Sequence, residues 1–229
     1  MEIVHATGID GARHARGTVV VIDVLRSFTV SAYALAGGAR ECRLVPTTAE
    51  ARALATTVPG SVLCVEENTM PVAGIAISNS PTLIRTTDLK DRVLIQRSSA
   101  GTPVVAAATV TDIFVASLVV AGATVQACLL RKPEVLTLVA SADYPEDHAC
   151  ARYMEAVARE EEPRLDMWLQ PLKESERYRR VMSGTWPGFP PTDIELALEP
   201  DRFDFAMPVT RHAGYHAVTR ADVPRRGAS

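Results

Sequence analysis

The feature that most constrains this chain is residues 19–24, VVVIDV. β-Branched residues in unbroken succession resist helix and fill both faces of a strand. The run therefore reads as a central strand buried on both sides. It carries one acid, Asp23, near its end. A carboxylate there is costly unless it meets a partner, which makes Asp23 a candidate for function.

The rest of the chain repeats this theme. Apolar segments at 41–46, 61–67, 92–96, 113–118 and 134–141 read as further strands. Helical segments alternate with them: RSFTVSAYALAGGA with Gly37-Gly38 as its stop, AEARALATT capped by Thr47 or Thr48, PVVAAATV, AGATVQACLL, and an amphipathic helix at 146–161. This alternation predicts an α/β fold, a three-layer α/β/α arrangement around a largely parallel or mixed sheet. Aromatic residues make up only 5% of the chain, so Val, Leu, Ile and Ala must build the core. Residues 163–200 read as a more charged helical addition broken at WPGFPP, MPVTRH and YHAVTR as a terminal hairpin, and 223–229 as a tail. Nothing in the composition forces a second domain, so 1–229 is taken as one. VVVIDVLRSFTVSAYALA and VLIQRSSAGTPVVAAA share an outline of strand, Arg-Ser, Thr and alanine-rich helix, which either duplication or chance explains.

Whole-chain properties narrow the function classes. A formal charge of -3 lacks the basic footprint of a nucleic-acid binder. No apolar run approaches the roughly 18 residues of a membrane span, and the opening residues hold no apolar signal core. Cys42, Cys64, Cys128 and Cys150 form no CxxC pair, which argues against a zinc knuckle or a disulfide scaffold. A cytoplasmic location is the expectation, and a homodimer is compatible with everything above.

In parallel sheets, ligands bind beyond the carboxyl ends of the strands. One turn there holds Asp23, Arg26, Ser27 and Thr29. A second holds Gln96, Arg97, Ser98, Ser99, Gly101 and Thr102. A third holds Asp143, Glu146 and Asp147, while Glu66 and Glu67 end another strand. Two of these turns lead through Arg, Ser and Thr into a helix start, where free amides and a guanidinium suit a phosphate or sulfonate. Such serines and threonines equally serve as plain helix caps, and Glu146-Asp147 equally complements a helix dipole. If Asp23, Glu66, Glu146 and Asp147 converge, Mg²⁺ would relieve their repulsion by bridging carboxylates and phosphate oxygens. The long loop before Asn79-Ser80-Pro81 offers either a ligand contact or only a turn. Asp23 is followed two positions on by Leu25, so the paired aspartates of a haloacid-dehalogenase phosphatase are missing. Residues 25–28 hold no glycine, which sets aside a dinucleotide-binding turn.

The ordered motifs VVVIDVLRSFTVSAYAL, VEENTMPVAGIAISNSP, RSSAGT, FVASLV and EDHACA resemble the 2-phosphosulfolactate phosphatase family of the coenzyme M biosynthesis type. The resemblance spans roughly 17–160, with weaker echoes at Ser183-Gly184 and at 193–195. It implies a three-layer fold and a Mg²⁺-dependent phosphatase acting on a small three-carbon anionic phosphate ester bearing a sulfonate. It implies Asp23, Arg26, Glu146 and Asp147 as catalytic residues, and Asp23, Glu66, Glu146 and Asp147 as metal ligands. Ser27, Thr29, Asn79, Ser80, Arg97, Ser98, Ser99, Gly101, Thr102 and Ser117 would bind substrate. The chain departs from the family at Val65 and Ser78, where glycines stand, at Ala100 and Val120, where asparagines stand, and at Arg97 and Ser98, where threonines stand. Those departures keep a second reading in view: a catalytically weakened paralogue that binds a small anion.

Overall fold

The computed structural model describes residues 1–224. Of the expected tail, 225–229 lies outside the described residues. The chain opens on a strand that its polar alternation concealed, Glu2–Thr7 (β1), followed by the short helix Gly8–Arg13 (α1). The valine run is β2, Thr18–Ile22, with all five residues buried, as a strand covered on both faces requires. Helix α2 (Ser27–Ala36) ends at Gly37 and Gly38, the latter at φ 92°, where a residue without Cβ is unstrained. Next come β3 (Glu41–Leu44) and α3 (Thr48–Thr57), whose first turn is capped by the Thr47 hydroxyl accepting from the Glu50 amide at 3.1 Å.

Strand β4 (Val62–Glu67) turns through Asn68 and Thr69 into a two-residue strand, β5 (Met70–Pro71). The long loop ends at α4 (Pro81–Arg85), which Ser80 caps and which Pro81 starts. Then follow β6 (Val93–Arg97), α5 (Gly101–Ala107), β7 (Ile113–Ala116), α6 (Ala121–Leu130), β8 (Val135–Ala140) and α7 (Pro145–Arg159). The helical addition resolves into four short helices, α8 (Leu165–Trp168), α9 (Gln170–Glu174), α10 (Glu176–Met182) and α11 (Thr192–Ala197). The hairpin is β9 (Phe205–His212) and β10 (Tyr215–Val218), with a short β11 (Ala221–Asp222) pairing back onto β9.

The strands join in the order β1-β8-β2-β7-β9-β10-β3-β6-β4-β5. β1, β8, β2 and β7 are mutually parallel, and so are β3, β6 and β4. The hairpin is therefore not a peripheral addition. It is inserted in the middle, antiparallel to β7 on one side and to β3 on the other. Three antiparallel steps separate the two parallel sets, so they run in opposite directions. The molecule is a mixed α/β sheet made of two opposed parallel halves. Helices cover both faces, and α5 of one half packs on α1 and β2 of the other, while α2 packs on β3.

A large aliphatic core runs under both halves, from Val19 and Leu138 to Leu44 and Leu94. A smaller cluster of Val45, Ala51, Val65, Ile75, Val93 and Ile95 lies beneath α3. All four cysteines are free and buried, consistent with core residues. Among the described residues, no helix is long and apolar enough to cross a membrane.

Candidate active site

Residues that follow strands of both halves line one cleft of about 250 Å³. Asp23, Leu25 and Arg26 enter it after β2, and Ser141, Ala142 and Tyr144 after β8. Glu66 and Thr69 come from the end of β4, Asn79 from the loop before α4, and Ser98, Ser99 and Ala100 from the turn between β6 and α5. Arg177 and Phe189 reach in from the helical addition. This is at the small end for ligand sites and suits a molecule of a few carbons.

Asp23 is the centre of the arrangement. It is buried, and its Oδ1 accepts from the Ser27 amide at 3.0 Å, so the carboxylate itself caps α2. Burial pushes its carboxyl up to about 6. The Ser27 amide and Arg177 work against that rise, and the charges of Glu66 and Glu146 add to it. Gly101 sits directly against it: a Cβ at that position would lie 2.7 Å from Asp23 Oδ2. Only the lack of a side chain lets the start of α5 approach the start of α2 so closely.

Arg26 is 4% exposed. It donates to Asp193 Oδ2 at 2.8 Å and to the Gly188 carbonyl at 2.5 Å, and its guanidinium lies 3.8 Å from the Phe189 ring centre. Burial lowers its pKa, and Asp193 opposes that shift. Asp193 also accepts from the Ser80 hydroxyl at 2.7 Å and the Thr82 amide at 3.0 Å. The weak echo at 193–195 thus supplies the counter-ion of a site arginine, while Ser80 serves α4 and Asp193 instead of facing the cleft.

Glu66 lines the cleft and is tied to the turn after β6. It accepts from the amide and hydroxyl of Ser99, the latter at 3.1 Å, and from the Thr69 amide at 2.6 Å. Arg97 donates to the Glu66 carbonyl and to the Ser99 hydroxyl, leaving its buried Nε without a partner. Ser98 and Thr102 bond reciprocally, each amide to the other's hydroxyl. Thr29 donates to the Val24 carbonyl, and Ser117 is buried with its hydroxyl unpartnered among the described residues. Gln96, placed in this turn by sequence but given no role, links the halves. Its amide nitrogen donates to the Ser27 carbonyl and to Asn79 Oδ1, and its oxygen accepts from Ser31.

The acids of α7 stand behind the cleft wall. Asp147 accepts from the Val24 amide at 2.8 Å and from the Ser141 hydroxyl at 2.8 Å, clipping the β2 turn to the end of β8. Burial, then the charges of Asp23 and Glu146, raise its carboxyl well above the usual range. Glu146 is fully buried, with Oε1 bonded to Arg177 and Oε2 without a partner among the described residues. Asp143 is solvent-exposed and pairs with His148.

The donors present are hard carboxylate oxygens, the right kind for a divalent cation. Among the described residues, no three of His, Cys, Asp and Glu are gathered as a ready metal cage. Mg²⁺ does not need one, since it is usually held by one or two carboxylates with water and substrate phosphate. Asp23 and Glu66, both on the cleft wall, fit that pattern. Glu66 is hydrogen-bonded by Ser99 and Thr69, as Glu146 and Asp147 are by Arg177, Val24 and Ser141, but Glu146 and Asp147 do not line the cleft.

Sequence reasoning did not single out Arg177, Tyr144, Ser141 or Phe189. Arg177 comes from a charged stretch among several arginines, with no local pattern to distinguish it. Only the chain path over the cleft does so.

Comparison with known proteins gives a match to a family described as 2-phosphosulpholactate phosphatase, over residues 5–182. A Bacillus subtilis protein named probable 2-phosphosulfolactate phosphatase is 38% identical over 144 residues, 60% of this chain and 62% of that protein. A Deinococcus radiodurans protein of the same name is 31% identical over 128 residues, 55% of this chain and 53% of that protein. The match thus spans less than two thirds of either relative's length.

Proposed function

Because this chain belongs to the 2-phosphosulpholactate phosphatase family, we propose that it hydrolyses a small phosphomonoester with the help of Mg²⁺. The observation that carries this reading is the meeting, in one cleft, of Asp23 and Glu66 from opposed half-sheets beside the buried Arg26. The named relatives support 2-phosphosulfolactate as the substrate to try first.

Asp23 and Glu66 would hold the cation. When bound, Mg²⁺ supplies Lewis acidity toward phosphoryl oxygens and neutralises charge between the two carboxylates. Arg26, fixed by Asp193 and Gly188, offers its remaining N–H groups to the phosphoryl oxygens without having to reorganise. Ser99, Arg97 and the turn they occupy sit against Glu66 and set the other wall. The small cleft limits the substrate to a short carbon skeleton. The oxygen that displaces the alcohol comes from water or from the Asp23 carboxylate, and rapid acid quench, which traps a phosphoenzyme only in the second case, separates the two.

The test is purified full chain assayed with phosphosulfolactate, phospholactate and a generic aryl phosphate, with Mg²⁺ and with EDTA. Metal-dependent turnover that Asp23→Asn lowers by at least about 10³-fold supports the assignment. Full activity in Asp23→Asn refutes it. Absence of turnover on every ester favours the anion-binding paralogue, for which Ala100 on the cleft wall is the structural motive.

A further inference from the structure

The two walls of the cleft differ. Glu66, Asn79, Ser98 and Ser99 form the wall of the second half-sheet. Ser141, Ala142 and Tyr144 form the other, and Arg177 reaches over them from α10. Arg177 has no part in the function described above, yet it is carefully held. One terminal nitrogen donates to Glu146 Oε1, the other to the Leu25 carbonyl at 2.9 Å, and the guanidinium lies 4.3 Å from the Tyr144 ring centre. A guanidinium carries five N–H donors in a planar fork, so these two bonds leave three. The side chain is 19% exposed.

Glu146 sharpens the point. It is fully buried, and among the described residues its second oxygen finds no partner. A buried carboxylate with an unmet oxygen weakens a fold, so stability does not account for the pair. Arg26 is built the same way, with a buried acid and a backbone carbonyl behind it and an aromatic ring beneath. Two arginines are thus pre-oriented toward one cleft, and Arg177 stands against Tyr144 and the Leu25 carbonyl.

We infer that Arg177 binds a second anionic group of the substrate, a carboxylate or sulfonate on the same skeleton as the phosphate. Glu146 is its positioning residue. The inference rests on the phosphatase reading for the substrate but not for the binding.

The experiment compares phospholactate with isopropyl phosphate, which lacks the second anion, as substrates of the full chain. The wild type favours phospholactate in kcat/KM. Arg177→Met lowers that preference roughly 10- to 100-fold, the scale of a lost charge-assisted hydrogen bond. Arg177→Lys loses most of it too, because an ammonium lacks the fork. Glu146→Gln raises KM for phospholactate more than it raises KM for isopropyl phosphate. In parallel, lactate and 2-hydroxyethanesulfonate are titrated calorimetrically with inorganic phosphate saturating. The wild type binds at least one, Arg177→Met binds neither, and the tighter of the two identifies carboxylate or sulfonate. If Arg177→Met does not fold, Arg177→Lys carries the same comparison. Hydrolysis of neither ester overturns the phosphatase reading, and the titration still decides Arg177. Equal losses on both esters, or anion binding that survives in both Arg177 variants, overturns the inference.

Discussion

Gly101→Ala tests the architecture at its tightest point. Helix propensity alone favours alanine over glycine, by at most about 1 kcal/mol at the first position of α5. Packing says the opposite. The added Cβ would lie 2.7 Å from Asp23 Oδ2, about 0.7 Å inside the 3.4 Å at which ordinary contact begins, and 3.0 Å from Phe28 Cζ. Asp23 has little freedom to give way, because Oδ1 is held by the Ser27 amide and the side chain is buried. Overpacking of this kind costs about 1–3 kcal/mol. For a chain of this size, each kcal/mol lowers Tm by roughly 2–4 °C. The net expectation is a fall of a few degrees. The effect on chemistry is larger, since a shift of the carboxylate by about 1 Å costs on the order of 10²-fold in rate. Thermal denaturation and steady-state kinetics measure both. A variant with a raised Tm and wild-type kcat would refute the close apposition of the two helix starts, and with it the convergence of the half-sheets on Asp23.

Other expectations follow from the same geometry. Asp147→Ala leaves the Val24 and Ser141 donors unsatisfied, and denaturant titration will show a loss of roughly 2–4 kcal/mol. Gly188→Ala places a Cβ 2.5 Å from both Pro71 Cγ and Ser78 Oγ at φ +67°, so the loop that holds Arg26 must shift. Its signature is a raised inhibition constant for inorganic phosphate, and an unchanged constant would count against Arg26 as a phosphate contact. The pH dependence has a definite sign. The Asp23 carboxyl is pushed up to about 6 from 3.8, so the folded chain holds a proton the unfolded chain releases between those values. That contribution is complete below about 4 and lost as pH rises through about 6. In EDTA, Asp23→Asn will therefore gain stability relative to wild type across pH 4–6, and a constant difference across that window would contradict the shift.

What could be read from residues alone divides along a physical line. The β2 run was legible because burial on both faces leaves a strand no polar positions. Ser80 caps its helix yet is placed by the family resemblance among the substrate contacts, whereas the Thr47 cap was legible because, like Ser80, it acts on an amide three residues away. β1 was not, because an edge strand alternates with solvent and its pattern resembles a loop. The hairpin could be seen but not its place, since nothing local in MPVTRH or YHAVTR says that β9 and β10 will join β7 to β3. Arg177 was invisible for the same reason: its function lies in where α10 is carried, not in its neighbours along the chain.

That placement of the hairpin gives the internal echo a structural meaning. VVVIDVLRSF and VLIQRSSAGT fall on β2 and β6, each flanked on both sides by parallel partners in its own half. Here three antiparallel steps reverse one half against the other. Even so, Asp23 from the first unit and Ser98 and Ser99 from the second line the same cleft, and Gly101 closes the gap between their helices. Ala100 lies on the cleft lining in the same turn as Ser98 and Ser99, so an amide placed there would face the cleft from the second unit. Ala100→Asn should tighten inhibition by inorganic phosphate if the second unit contacts the phosphoryl group. An unchanged inhibition constant would assign that contact to the first unit and Arg26 alone.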